Sequence, residues 1–276
     1  RRSGALVGRP LQSPSSTHWL GTTGQGQDVL AQLVVGTRHS LLVGLLTGLV
    51  VVALGACVGV VAGYVGGAVD LLLSWVTQVS LVLPGLPLAI VVAAYLPAGP
   101  WTVAAVLVLT GWAWNARVLR SQTLSLRGRD FVVAARVAGD GPLRIMATVV
   151  APNLTSLLFG QWMGSVTYAI GAEVGLEFLG LGDVDAVTWG TSLYWAANDA
   201  ALLTGAWWTF VPAGLASAVF ACALVWIGAG LDEVTNPRLQ SARPWGRWLR
   251  ARGVEPNAAL QATPVVRGDD RPRSEP

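Results

Sequence analysis

The chain has 276 residues, 53% of them hydrophobic and only 12% charged, with a formal net charge of +3. A soluble domain carries about 25% charged residues, so the ordinary soluble class is excluded and a membrane-embedded one is implied. All 18 basic residues are Arg, and the two cysteines, Cys57 and Cys222, lie inside apolar runs, where buried small hydrophobes are expected rather than a disulfide or metal ligands.

The chain opens on a polar stretch with Arg1, Arg2 and Arg9, followed by "GTTGQGQD" from Gly21 to Asp28. The glycines suggest a phosphate-binding loop, but that loop needs a Lys behind them to reach the phosphates. This chain has no Lys, so the segment reads as a turn-rich external loop. Five stretches then follow that could cross a hydrocarbon core, which takes about 20 apolar residues as helix. They run from about Ser40 to Tyr64, Leu71 to Leu96, Trp101 to Leu119, Leu154 to Leu179 and Trp207 to Leu231. Helix is required, because in lipid each backbone polar group must be paired within its own segment. The expected fold is therefore all-α, a polytopic transmembrane helix bundle.

The first span carries Gly44 and Gly48, then Gly55, Gly59, Gly63 and Gly67, spaced by four so that another helix can approach one face closely. The second holds Pro84 and Pro87 in "LPGLP", which predicts a kink or break whose freed carbonyls face protein or a pathway. Between the third and fourth spans lies "RDFVVAARVAGDGPLRIMATVVAP", from Arg129 to Pro152. Here Asp130 is expected to cap a short helix, Phe131 to Ala138, with Gly139 ending it in a left-handed conformation and Pro142 discouraging continuation. Ala134, Ala135, Ala138 and Gly139 give that helix a nearly bare surface flanked by arginines, suited to docking in a partner's groove, although a helix lying on the membrane could use the same small residues. The fourth span carries Glu173 and Glu177, one turn apart on one face. A charge in a span is a functional candidate, but the end-of-helix position favours solvation at the interface or a hydrogen bond to the outer loop.

Arginine placement orients the bundle. Arg117, Arg120, Arg127, Arg129, Arg136 and Arg144 lie between the third and fourth spans, and Arg238, Arg243, Arg247, Arg250 and Arg252 follow the fifth. The connection from Gly180 to Ala206 holds Asp183, Asp185 and Asp199 but no basic residue. The positive-inside rule then puts the two arginine-rich segments in the cytoplasm and the Gly180–Ala206 connection outside. Trp101, Trp189, Trp195, Trp207 and Trp208 fall at the outer ends, as an interfacial belt would. Trp245 and Trp248 suggest a short amphipathic stretch on the inner surface, and the chain from Gly253 onward reads as disordered. The expected organisation is an extracytoplasmic segment, 1–39, a transmembrane domain, 40–231, and a cytoplasmic tail, 232–276. This orientation leaves the Arg-bearing start of the chain outside, a charge conflict that predicts one further span upstream of Arg1.

Catalytic chemistry finds no foothold. His18 and His39 have no neighbouring Cys or carboxylate cluster, so neither a metal site nor a cofactor is expected. No catalytic residue is assigned, and nothing points to nucleic acid.

The Arg129–Pro152 stretch resembles the cytoplasmic loop of bacterial ABC-importer permeases, E-A-A, three residues, G, then about nine residues to I-x-L-P. Ala134, Ala135 and Gly139 match the A-A and G, Val149 and Pro152 match part of the close, Val133 replaces the Glu, and Ala151 stands where Leu is usual. "HWLGTTGQGQDVLAQLVVGTRHSL" is similar to the H-x-L-G-T-D segment of the C-type permeases of dipeptide, oligopeptide and nickel importers, with Thr23 and Gln27 replacing its Asp and Arg. "GAEVGLEFLGLG" resembles the A-E-x-x-L-S-F-L-G-L-G of that family, with Glu177 in place of Ser, and "LDEVTNPRL" resembles its C-terminal end. The resemblance implies a non-catalytic permease subunit of a bacterial inner membrane, with six spans in the family against five here. It implies a homologous second permease, two cytoplasmic ATP-binding subunits, with Phe131–Gly139 as the ATPase-coupling helix, and an extracytoplasmic substrate-binding protein. Di- or oligopeptides are the expected cargo. The alternative is nickel or another small solute carried by the same architecture.

Overall fold

The computed structural model describes residues 6–235. The expected surface stretch at Trp245 and Trp248 and the disordered end lie outside the described residues. The described residues up to Ala229 form one compact unit, and those of the second, 230–235, are helical.

The opening loop is tied by isolated bridges between Leu6 and Gln27 and between Thr22 and Asp28. The buried Thr22 hydroxyl donates to the Arg9 carbonyl at 2.7 Å and accepts from the Gln12 N–H at 2.8 Å. Gly21 and Gly26 turn the chain at φ +69° and +74°. The loop ends on Asp28, whose carboxylate accepts from the Ala31 N–H at 3.2 Å and starts helix α1, Val29–Val65. The helix thus begins well before Ser40. Hydropathy finds the lipid-depth segment, but a helix begins where its first free N–H groups are capped.

The second span breaks into α2, Gly67–Val82, and α3, Gly85–Tyr95, at an angle of 85°. Pro84 has no N–H for the Ser80 carbonyl and disfavours helical backbone at Leu83, which is extended at ψ 128°. Pro87 sits in the first turn of α3, where an N–H would have no partner in the helix. Of the two prolines, Pro84 makes the break and Pro87 merely starts the next helix.

Helix α4, Pro100–Arg127, runs past the expected Leu119, so Arg120 and Arg127 are helical rather than loop residues. After α5, Asp130–Val137, and α6, Pro142–Ile145, a π-helical turn at Met146–Val150 leads into α7, Ala151–Asn153. Helix α8, Thr155–Phe178, follows at 72°. A short helix α9, Trp189–Asn198, a single turn α10, Ala201–Thr204, and the last helix α11, Val211–Thr235, complete the described chain. Among the described residues three helices are long and apolar enough to cross a membrane, and up to five spans result if each bent pair counts once. The chain is thus a multi-pass helix bundle.

Helix α1 is the hub, packed on α4 and α8. Its glycine row drifts around the helix and changes partner along the way. A Cβ added at Gly48 would lie 2.8 Å from the Val166 nitrogen of α8. One at Gly55 would meet the Trp112 carbonyl oxygen of α4 at 2.9 Å, and one at Gly63 the Arg120 carbonyl oxygen at 2.8 Å. These are backbone contacts that only a missing side chain permits. Gly67 does not belong to the row: α1 ends at Val65, and Gly67 opens α2. Cys57 and Cys222 are exposed rather than buried. An apolar run in a membrane helix has outward faces as apolar as its core, because lipid tails tolerate both.

Candidate functional site

The docking helix expected from sequence is α5, one residue offset from the expected bounds. Arg129 occupies the cap position and makes no side-chain cap bond, while Asp130 is the first helical residue. There its carboxylate still complements the helix dipole. The far end forms as expected. Gly139 is left-handed at φ +90°, its N–H bonds the Arg136 carbonyl at 3.1 Å, and the Asp140 N–H bonds the Ala135 carbonyl at 3.1 Å. This paired arrangement satisfies carbonyls that a helix end leaves free.

One side of α5 is fixed to the bundle. Val132 is fully buried in a cluster with Tyr64 of α1, Leu119 of α4, and Ile145, Met146, Val150 and Leu154 beyond. Arg136 lies over the Tyr64 ring at 5.9 Å. Ala135 is half-buried against the same cluster, so it belongs to the seam with the bundle rather than to the outward face. Phe131, Ala134, Ala138 and Gly139 are exposed, with Val133, Val137 and Leu143 beside them. The result is an apolar surface, bare at Ala134, Ala138 and Gly139 and bordered by the exposed Arg129, Arg136 and Arg144. Asp140 pairs with Arg144 at 3.3 Å across the turn.

A second link at the same end was not foreseen. Arg120 grips Asp70 of α2 with two parallel bonds, Nε to Oδ1 at 2.5 Å and Nη2 to Oδ2 at 2.7 Å, and the Ser74 hydroxyl donates to Asp70 at 2.9 Å. The forked geometry fixes angle as well as distance. The pair ties α4 to α2, the helix that ends at the proline break. The partners stand 50 residues apart in the chain, so no local pattern signals the pair.

At the opposite end of α8, Glu173 and Glu177 share a face as expected, but neither is solvated: they are 1% and 3% exposed. Glu177 accepts from the Thr188 hydroxyl, and Thr188 caps α9 in a reciprocal box with Thr191. The Trp189 N–H donates to Ser40 of α1 at 3.3 Å, and its indole N–H to Thr37 at 3.3 Å. Helix α9 is thus pinned to both α8 and α1 through buried polar groups. Glu173 has no hydrogen-bond partner for either oxygen. Of the tryptophans expected in a belt, Trp101 and Trp207 are exposed, whereas Trp189 is buried at 2%. Its place at the start of α9 turns it inward.

Residues 55–239 match the family of binding-protein-dependent transport system inner membrane components, two thirds of the sequence. The chain belongs to that family. Among its relatives, this permease is 37% identical over 237 residues to the oligopeptide transport system permease protein OppC of Mycobacterium tuberculosis (strain ATCC 25618 / H37Rv), covering 84% of this chain and 80% of that one. It is 34% identical over 231 residues to the dipeptide transport system permease protein DppC of Bacillus subtilis (strain 168), covering 82% of this chain and 71% of that one. Among solved structures it superposes on a chain of the inward-facing MetNI methionine ABC transporter with a TM-score of 0.58 and 16% identity, covering 72% of this chain and 96% of that chain. At that identity the likeness is one of fold alone.

Proposed function

We propose that this permease is one transmembrane subunit of an ATP-driven importer for di- and oligopeptides. It pairs with a homologous second permease, receives cargo from an extracytoplasmic binding protein and docks two cytoplasmic ATP-binding subunits, one of them through α5. The protein itself performs no catalysis. Its transmembrane domain is 40–231, with α5, α6 and the tail from 232 on the cytoplasmic side and the α9–α10 connection outside. The observation that carries the reading is α5 itself: a short helix fixed on one side by Val132 and bare on the other through Phe131, Ala134, Ala138 and Gly139. A solvated linker has no use for an apolar outward face, whereas a helix seated in a partner's groove buries it. The peptide cargo is supported by the relatives, permease proteins of oligopeptide and dipeptide transport systems.

Co-expression with the neighbouring transport subunits tests the assembly. A tagged chain purified from mild detergent is expected to bring a second permease and an ATPase pair, and the reconstituted complex to take up labelled peptides on ATP. Purification of the chain alone, with no ATPase at any salt concentration, would count against the importer. Uptake of a metal ion without peptides would replace the cargo and leave the architecture standing.

A further inference from the structure

Near the middle of α4 a cavity of about 440 Å³ opens between α1, α2, α4 and α8. That volume suits a small ligand or a short stretch of chain, since ligand pockets span roughly 300–1,000 Å³. Its lining has no charge. Thr110, Trp114 and Asn115 come from α4, Gln161, Ser165 and Tyr168 from α8, with Val51 and Leu81 closing the sides. Asn115 is 3% exposed; its Nδ2 donates to the Ser165 hydroxyl at 3.1 Å, but its Oδ1 has no partner. The Gln161 carboxamide and the Tyr168 hydroxyl make no hydrogen bond among the described residues. The break between α2 and α3 stands beside the cavity, for a Cβ at Gly85 would lie 3.6 Å from the Tyr168 hydroxyl.

We propose that this cavity holds the main-chain amides of an extended peptide as it crosses the membrane, with Asn115, Gln161 and Ser165 as its hydrogen-bonding groups. The inference rests on the peptide-importer reading above. Carboxamides both donate and accept, which matches the alternating N–H and C=O of a peptide and reads no side chain. An extended peptide leaving water carries unpaired backbone groups that must find partners. A lipid tail has none to offer, and its entry would leave the Asn115 oxygen unpaired. A helix of a neighbouring permease has its backbone bonds already closed within itself. The charge-free lining has no fixed charge to repel a peptide of either sign.

The test uses the complete importer in liposomes, with radiolabelled tri-alanine as cargo and uptake expressed per ATP hydrolysed. Gln161→Leu is the cleaner variant, since Gln161 makes no internal bond whose loss would disturb the fold; Asn115→Leu is the second. Each is expected to lower peptide moved per ATP about tenfold, the effect of leaving one buried amide unpaired. Leu109→Ala, exposed on the same helix and outside the cavity lining, is expected to match wild type. Unchanged coupling in both cavity variants overturns the inference. So does loss of the second permease from either variant complex, which makes the cavity a subunit seam. A photo-crosslinker placed at Gln161 is expected to capture the peptide during turnover; capture of lipid or of the second permease alone also overturns it. Failure of wild type to take up any peptide of a di- to pentapeptide series ends the peptide reading itself, and that result is visible before any variant is made.

Discussion

Ala138 closes α5 with its methyl exposed and its backbone right-handed at φ −68°, one residue before the left-handed Gly139. A leucine at 138 meets no conformational penalty and projects away from the Val132 cluster. Exposed substitutions of this kind change stability by within about 0.5 kcal/mol. In a packed contact the same added volume costs about 1–3 kcal/mol, or roughly a five- to 150-fold rise in dissociation constant. Ala138→Leu therefore separates docking from folding. Gly139→Ala is its counterpart: open space surrounds Gly139, so the variant acts mainly through the φ +90° backbone, at about 1–2 kcal/mol for a side chain in left-handed geometry. The assay is titration of fluorescent ATPase onto the permease pair held in lipid nanodiscs, with thermal denaturation of the same samples. Ala138→Leu is expected to keep its denaturation midpoint and lose affinity; Gly139→Ala is expected to lose some of both. Wild-type affinity in Ala138→Leu would refute the assignment of α5 as the docking element.

Three further outcomes follow from the packing. Gly55→Ala places a Cβ 2.6 Å from that of Asn115 and 2.9 Å from the Trp112 carbonyl oxygen, whereas a Cβ at Gly171 meets nothing. Both changes favour helix by about 1 kcal/mol, so a lower denaturation midpoint for Gly55→Ala than for Gly171→Ala reports the α1–α4 seam, and equal midpoints would dismiss it. Asp70→Ala strands Arg120; because the pair is 34% and 19% exposed, the loss should fall below the roughly 3–5 kcal/mol of a fully buried pair. A double-mutant cycle with Arg120→Ala should show coupling, and strict additivity would deny the link between α2 and α4. For orientation, Asn198→Cys is expected to react with an impermeant thiol reagent from outside and Ser125→Cys only from inside, in a background of Cys57→Ala and Cys222→Ala. Asn198 is used because Thr191, in the same connection, is buried in the α9 cap. The reverse pattern would invert the whole topology.

What the sequence determined by itself is what neighbours along the chain control. An apolar run of the right length must be helix in lipid, a proline must cost the carbonyl four residues back its partner, and a glycine after an alanine-rich turn can go left-handed. The five runs, a break within "LPGLP" and the turn at Gly139 were therefore legible before any fold was known, whereas the structure assigned the break to Pro84. Tertiary structure decided what depends on partners far apart in sequence. It chose which side of α5 is buried, turning Ala135 inward and leaving Ala138 free. It brought Arg120 to Asp70, and Glu177 to Thr188, and it drew Trp189 out of the belt and into the core. It also put Asn115 beside Ser165, on a helix whose composition gives no sign of a cavity. In a chain surrounded by lipid, hydrophobicity no longer separates inside from outside, since both faces of a helix are apolar. The sequence can therefore say that a segment spans, but only the packing of one helix on another says which face meets protein and which polar atoms are left without a partner.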